Sequence, residues 1–217
     1  MLINDPRVLA VPVRDCAERL VDARDMCPEI RPYTGGKDHY DRPREESFYV
    51  REDVARRLSE AQRALPAPFR LELFEGWRSV TLQEVIYADY IAHLERKHPH
   101  LTTPALAELA AEFVAPPSGT PPHSTGGAVD IQLLVGGELA DLGCPINWPG
   151  PERRMDADVS EGARKMREVL ATACLAAGFE NYDQEWWHWS YGDQYWAAAK
   201  GCDSALYGAV APEIAVP

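Results

Sequence analysis

HSTGGAVDIQLLV, residues His123–Val135, joins two glycines to a run of eight residues with strand character and sets Asp130 between apolar Val129 and Ile131. A carboxylate on a buried strand must be hydrogen-bonded, ion-paired or bound to a cation. Spacing alone leaves open a turn cap or arginine partner as well as a metal ligand. The metal reading gains weight from Asn181–Trp196, NYDQEWWHWSYGDQYW, where Glu185 and His188 sit among bulky rings. Together His123, Asp130, His188 and Glu185 supply two imidazoles, a carboxylate and a spare carboxylate. Those are the parts of a catalytic zinc centre: three protein ligands, an open position for water, and a general base.

Outward from that stretch, the pattern predicts an α+β domain with a small, mainly antiparallel sheet flanked by helices. FRLELF at Phe69–Phe74 alternates, with Phe69, Leu71 and Leu73 on one face, and delivers Trp77 and Arg78 at a strand's end. Further strands are expected at Ala128–Val135 and around Glu185–Tyr191. Val54, Leu58, Ala61 and Leu65 recur at helical spacing over Glu52–Leu65, with Pro66 as the stop. Other helices are expected over Thr81–Lys97, Pro104–Val114 and Ser160–Ala177, the last capped by Ser160 or Asp158 and followed by Gly178. Asp25–Arg44, rich in proline and glycine, reads as a long surface loop. At 217 residues one domain is expected, with residues 1–50 as an extension and loops packed on it.

A net charge of −12 opposes binding to phosphate backbones and anionic lipid. Five dispersed cysteines without a CxxC pair read as reduced thiols, and the N-terminus lacks the basic start and apolar core of a leader; a cytoplasmic protein without a membrane segment is expected.

Glu185 and His188 are three apart, so on a regular strand they would face opposite ways. A bulge is expected there, in preference to a helical turn. Trp186 and Trp187 suit core packing that dries the site. Arg78 could hold a carboxylate or an oxyanion, or form a surface salt bridge. HLERKHPH spaces His93 and His98 by five, which breaks the HExxH pattern. Thr34–Lys37 lacks the glycine spacing of a phosphate loop, and no base accompanies Ser124 for nucleophilic catalysis.

The motifs Glu75-Gly76-Trp77-Arg78, HxxGxAxD (His123, Gly126, Ala128, Asp130) and EWWH (Glu185–His188) followed by SYGDQYW occur in this order between Glu75 and Trp196. In that combination the chain resembles the zinc D-Ala-D-Ala dipeptidases of the VanX type, within the group that includes D,D-carboxypeptidases and hedgehog-like domains. The resemblance implies one zinc ion per chain on His123, Asp130 and His188, Glu185 as general base and then acid, and Arg78 beside the developing oxyanion. It implies a small peptide as partner. The chain departs from the family pattern at Pro121, where a serine is usual, and at Asn147, where an ammonium-binding aspartate is expected. Asn147, Ser124 and Trp187 stand as candidate substrate contacts. The expected function is zinc-dependent hydrolysis of D-alanyl-D-alanine or a similar D-dipeptide. The alternatives are a D,D- or L,D-carboxypeptidase or amidase acting on a longer or N-blocked peptide, and a zinc-bearing binding module without activity. His/Asp/His ligation would also accept cobalt or nickel.

Overall fold

The computed structural model describes residues 1–33, 48–117 and 119–210. Along the chain it places α1 (Pro6–Leu9), β1 (Leu20–Asp22), α2 (Ala23–Met26), β2 (Arg31–Pro32), β3 (Tyr49–Arg51), α3 (Glu52–Ala64), β4 (Phe69–Glu75), α4 (Val80–Lys97) and α5 (Thr103–Ala110). These are followed by β5 (Ala128–Val135), β6 (Glu138–Leu139), α6 (Glu161–Ala176), β7 (Glu180–Asn181), β8 (His188–Ser190) and α7 (Gln194–Lys200). The fold is α+β.

Among the described residues the main sheet runs β2-β4-β5-β8-β7, with β6 paired to the far end of β5. Every pairing in it is antiparallel except β2 with β4. β5 is central, with seven of its eight residues buried: one face is apolar, Val129, Ile131 and Leu133, and the other carries Asp130 and Gln132 among covered positions. Leu71 and Leu73 of β4 and Ile131 and Leu133 of β5 are fully buried on one face, against α3 and α6. Burying each is worth about 1.5–3 kcal/mol. The helices fit their sequence signals. Ser160 accepts a hydrogen bond from the Ala163 amide at the start of α6, and Gly178 takes φ +88° just past its end.

Three expectations need correction. The Asp25–Arg44 loop begins inside α2, buries Cys27 and Ile30, and adds β2 to the sheet edge beside Glu72 and Leu73; residues 34–44, and with them Thr34–Lys37, lie outside the described residues. The C-terminal strand is His188–Ser190 alone, so Glu185–Trp187 precede it in a turn. The bulge falls on β4, where the register slips between Leu73 and Glu75.

Candidate metal centre and active site

The slip on β4 matters because it changes which side chain meets Asp130. An unbroken ladder from the Leu73 and Ile131 pair would set Phe74 opposite Asp130; with the extra residue, Glu75 stands there. Across the other edge of β5, Asp130 is paired with His188. Glu75, Asp130 and His188 thus form a row over three strands, on the face away from the α3 and α6 core.

His123 reaches the same point from the 3₁₀ turn Pro122–Thr125. Gly126 ends that turn at φ +72°, and a Cβ at Gly127 would lie 2.5 Å from the Tyr191 carbonyl oxygen. Glycine is needed at the first for its left-handed backbone and at the second for its close approach. Buried Arg51 anchors the turn, its Nε donating to the Thr125 carbonyl at 2.7 Å while its amide donates to Gly126 at 2.9 Å.

The turn before β8 solves the spacing problem at Glu185 and His188. The Glu185 amide donates to the Tyr182 carbonyl at 2.8 Å and the His188 amide to the Glu185 carbonyl at 3.3 Å. Asn181 Nδ2 bridges the turn, donating to the carbonyls of Glu185 and His188 at 3.0 Å each. A tight turn reverses direction within three residues, so both side chains reach one cavity without a bulge between them.

His123 Nε2 and His188 Nδ1 lie 3.1 Å apart, at 3.3 and 3.1 Å from Asp130 Oδ1. Their outer nitrogens have other partners. His123 Nδ1 meets the Gly76 carbonyl oxygen at 2.8 Å, a contact that requires a proton on Nδ1, and His188 Nε2 lies 3.5 Å from Ser190 Oγ. With protons outward, two imidazole lone pairs and a carboxylate oxygen converge on one point, all three residues buried. A cation answers that arrangement, and the donor set suits zinc. Burial alone would raise the Asp130 carboxyl; the two imidazoles, His123 first, outweigh it and hold the group well below the usual carboxylate range. Burial lowers His188, with Asp130 opposing it.

Glu185 is buried beside this cluster, and burial followed by the Asp130 charge pushes its carboxyl well above the ordinary value. Trp187 lines the same cavity. Arg78 lies at the end of β4, its Nε and Nη2 held by the two Glu75 carboxylate oxygens at 2.8 and 2.6 Å. Its Nη1 donates to Gln83 Oε1 at 2.7 Å, and Gln83 Nε2 in turn donates to the Ala115 carbonyl at 2.7 Å. Arg78 is therefore oriented on both sides by partners within hydrogen-bond range, in a partly buried ion pair.

A cavity of about 80 Å³ opens over these groups, lined by Glu75, Arg78, His123, Asp130, Glu185 and His188 with apolar walls that include Ile3, Ile86, Phe113 and Trp187. Asn147 also lines it, at φ +64°. Ser124 does not: it is fully buried behind the turn and its hydroxyl has no partner among the described residues. His93 and His100 stay exposed at and beyond the end of α4. Gln83 and Ile3 escaped sequence reasoning, and Glu75 was named only as part of its motif, without a role at the site. Glu75 alone had a visible signal, its place three residues before Arg78.

The D-Ala-D-Ala dipeptidase family model, peptidase M15, matches residues 36–204. The chain belongs to this family, and it is a peptidase. It is 28% identical to a D-alanyl-D-alanine dipeptidase of Synechocystis over 87% of this chain and 88% of the relative. A D-alanyl-D-alanine dipeptidase of Streptomyces coelicolor is 38% identical over 36% of this chain and 39% of its own length. Among solved structures, a VanY D,D-pentapeptidase variant from a VanB-type vancomycin resistance cassette, in complex with Zn(II), covers 81% of this chain and 84% of its own at 20% identity and a TM-score of 0.45. VanYB with D-alanine-D-alanine matches at 19% identity and a TM-score of 0.43, over 71% and 79%. Among the described residues no helix is long and apolar enough to cross a membrane.

Proposed function

We propose that this peptidase holds one zinc ion on His123, Asp130 and His188 and hydrolyses a small D-amino-acid dipeptide, most simply D-Ala-D-Ala. The observation that carries the reading is the convergence of three buried ligand atoms, all within 4.8 Å of one another, beside a fourth buried acid that is free of the cluster. The family match and the names of the curated relatives support the substrate class.

Bound zinc would supply Lewis acidity toward the scissile carbonyl and lower the pKa of a water. Glu185 takes a proton from the attacking water and passes it to the leaving amine, and a carboxyl raised by burial is better matched to that exchange near neutral pH than an exposed one. Arg78, fixed by Glu75 and Gln83, offers fixed positive charge to the carbonyl oxygen as it becomes an oxyanion. Trp187, with Phe113 and Ile86, keeps the cavity dry. A cytoplasmic address would suit a free dipeptide better than assembled cell wall.

Asn147 supports a second reading. An amide at this wall in place of a carboxylate weakens the charge-assisted hold on a free ammonium group, which would open the site to N-blocked or longer peptides. The test is D-Ala release by the zinc-loaded protein from D-Ala-D-Ala and from its N-acetylated form, with Glu185→Ala as control. Cleavage of the free dipeptide alone supports the dipeptidase. Cleavage of both moves the enzyme to the carboxypeptidase class, and release that survives Glu185→Ala removes the mechanism.

A further inference from the structure

Two cavities meet at the N-terminal segment. The catalytic cavity is lined in part by Ile3, Ala115, Pro121 and Pro122, and the same four residues line a second, smaller void of about 10 Å³. That void continues away from the metal ligands toward Val8, Gly119 and Tyr195. The shared residues are a partition. Ala115 offers only a methyl group and the two prolines are rigid ring walls, so Ile3 is the one branched, multi-rotamer side chain in the partition.

The segment that carries Ile3 is held firmly. Met1, Leu2 and Ile3 pack on the buried cluster of Val8, Tyr182 and Tyr195. The Leu2 carbonyl accepts the Asp5 amide at 3.0 Å, and Asp5 caps α1 by accepting from Arg7 N. Gln194 of α7 donates to the Val11 carbonyl at 2.7 Å. Ile3 packs on Tyr182, whose amide donates to the carbonyl of His188 at 3.0 Å. The partition is therefore braced against the strand that carries a metal ligand.

We infer that Ile3 is a specificity-determining residue: it closes one end of the substrate cavity and excludes peptides longer than two residues. Removing its branched side chain joins the two voids and lengthens the cavity along an apolar channel. This inference rests on the peptidase reading for its substrate, but the wall itself is independent of which peptide is cleaved.

The experiment compares zinc-loaded wild type with Ile3→Ala and Ile3→Val on D-Ala-D-Ala and tri-D-alanine. The tripeptide carries its extra residue on either side of the bond that is cut, so the comparison does not depend on which end of the substrate faces Ile3. For Ile3→Ala the ratio of kcat/KM for tripeptide over dipeptide rises about tenfold or more, the scale on which a pocket discriminates one or a few methylene groups, and Ile3→Val falls between. An unchanged ratio, with dipeptide hydrolysis intact, overturns the role of Ile3 and leaves the dipeptidase standing. If wild type cleaves neither peptide, the substrate reading fails, and the wall is judged by zinc extraction with 1,10-phenanthroline. Faster extraction from Ile3→Ala than from wild type then upholds it, and equal rates overturn it.

Discussion

In the proposed mechanism Glu185 and Arg78 do different work, and their variants separate it. Glu185→Gln keeps the volume and the metal ligands but removes the proton carrier, so zinc content is retained while kcat falls by about 10²–10⁴. Metal analysis beside steady-state kinetics checks both halves. Arg78→Lys keeps a positive charge and still loses most activity, about 10²-fold, because a lysine cannot make the two-pronged contact with Glu75 that fixes the guanidinium. Recovery of wild-type kcat by Arg78→Lys would show that charge without orientation is enough. Much at this scale was legible in the sequence. The sequence offered His123, Asp130, His188 and Glu185 as a set because two imidazoles and two carboxylates are the parts of a zinc centre, and Arg78 because it follows a strand's end; the fold brings all five to one cavity. What could not be read was the outer layer. The partner of His123 Nδ1 is the Gly76 carbonyl, a backbone group with no side-chain signature. Ile3 lies 120 residues from His123, and nothing local in its sequence connects it to a cavity.

Elements carry the site by two irregularities and one clamp. The β4 bulge and the Tyr182–His188 turn aim Glu75 and Glu185 into the cavity; the sequence called for one distortion, at Glu185 and His188, and the chain uses a turn there and a bulge elsewhere. A spacing of three says only that a regular strand fails, and a turn bridged by the Asn181 amide meets that demand as well as a bulge does. The helices were easier to read, since caps and apolar periodicity are local: Glu52–Ala64 and Glu161–Ala176 match expectation to within a residue or so at each end. Short strands such as β2 and β7 were not visible, because two residues carry no period. The clamp is Arg51, which holds the Thr125 and Gly208 carbonyls and Asp15 with its buried guanidinium. Arg51→Met strips those acceptors of their donor and destabilises the fold by about 3 kcal/mol or more. Denaturant unfolding measures the loss, and it reaches the site through the 3₁₀ turn of His123.

For the whole molecule, stability is expected to depend on metal and on acid. On the proposed site zinc would bind the folded chain, so stripping it is expected to lower the melting temperature; a ligand at 1,000 times its Kd contributes about 4 kcal/mol. Calorimetry with and without chelator reads this directly. Acid acts through paired carboxylates. Burial raises Asp53, but hydrogen bonds from Arg56 and Arg57 outweigh it and leave the group below its ordinary value; Asp22 is lowered likewise by Arg24. Their folded values lie under the unfolded ones, so their stabilisation is complete above about pH 4 and disappears as pH falls through the folded values. Asp53→Asn flattens the decline in melting temperature over that range, and an unaltered slope would remove Asp53 from the account. The most direct test of the central claim is reconstitution. Protein stripped by chelator releases no D-Ala from D-Ala-D-Ala, one equivalent of zinc per chain restores hydrolysis, and Asp130→Ala neither binds that equivalent nor recovers. Full activity in the stripped protein, or recovery of Asp130→Ala with one zinc, would contradict it.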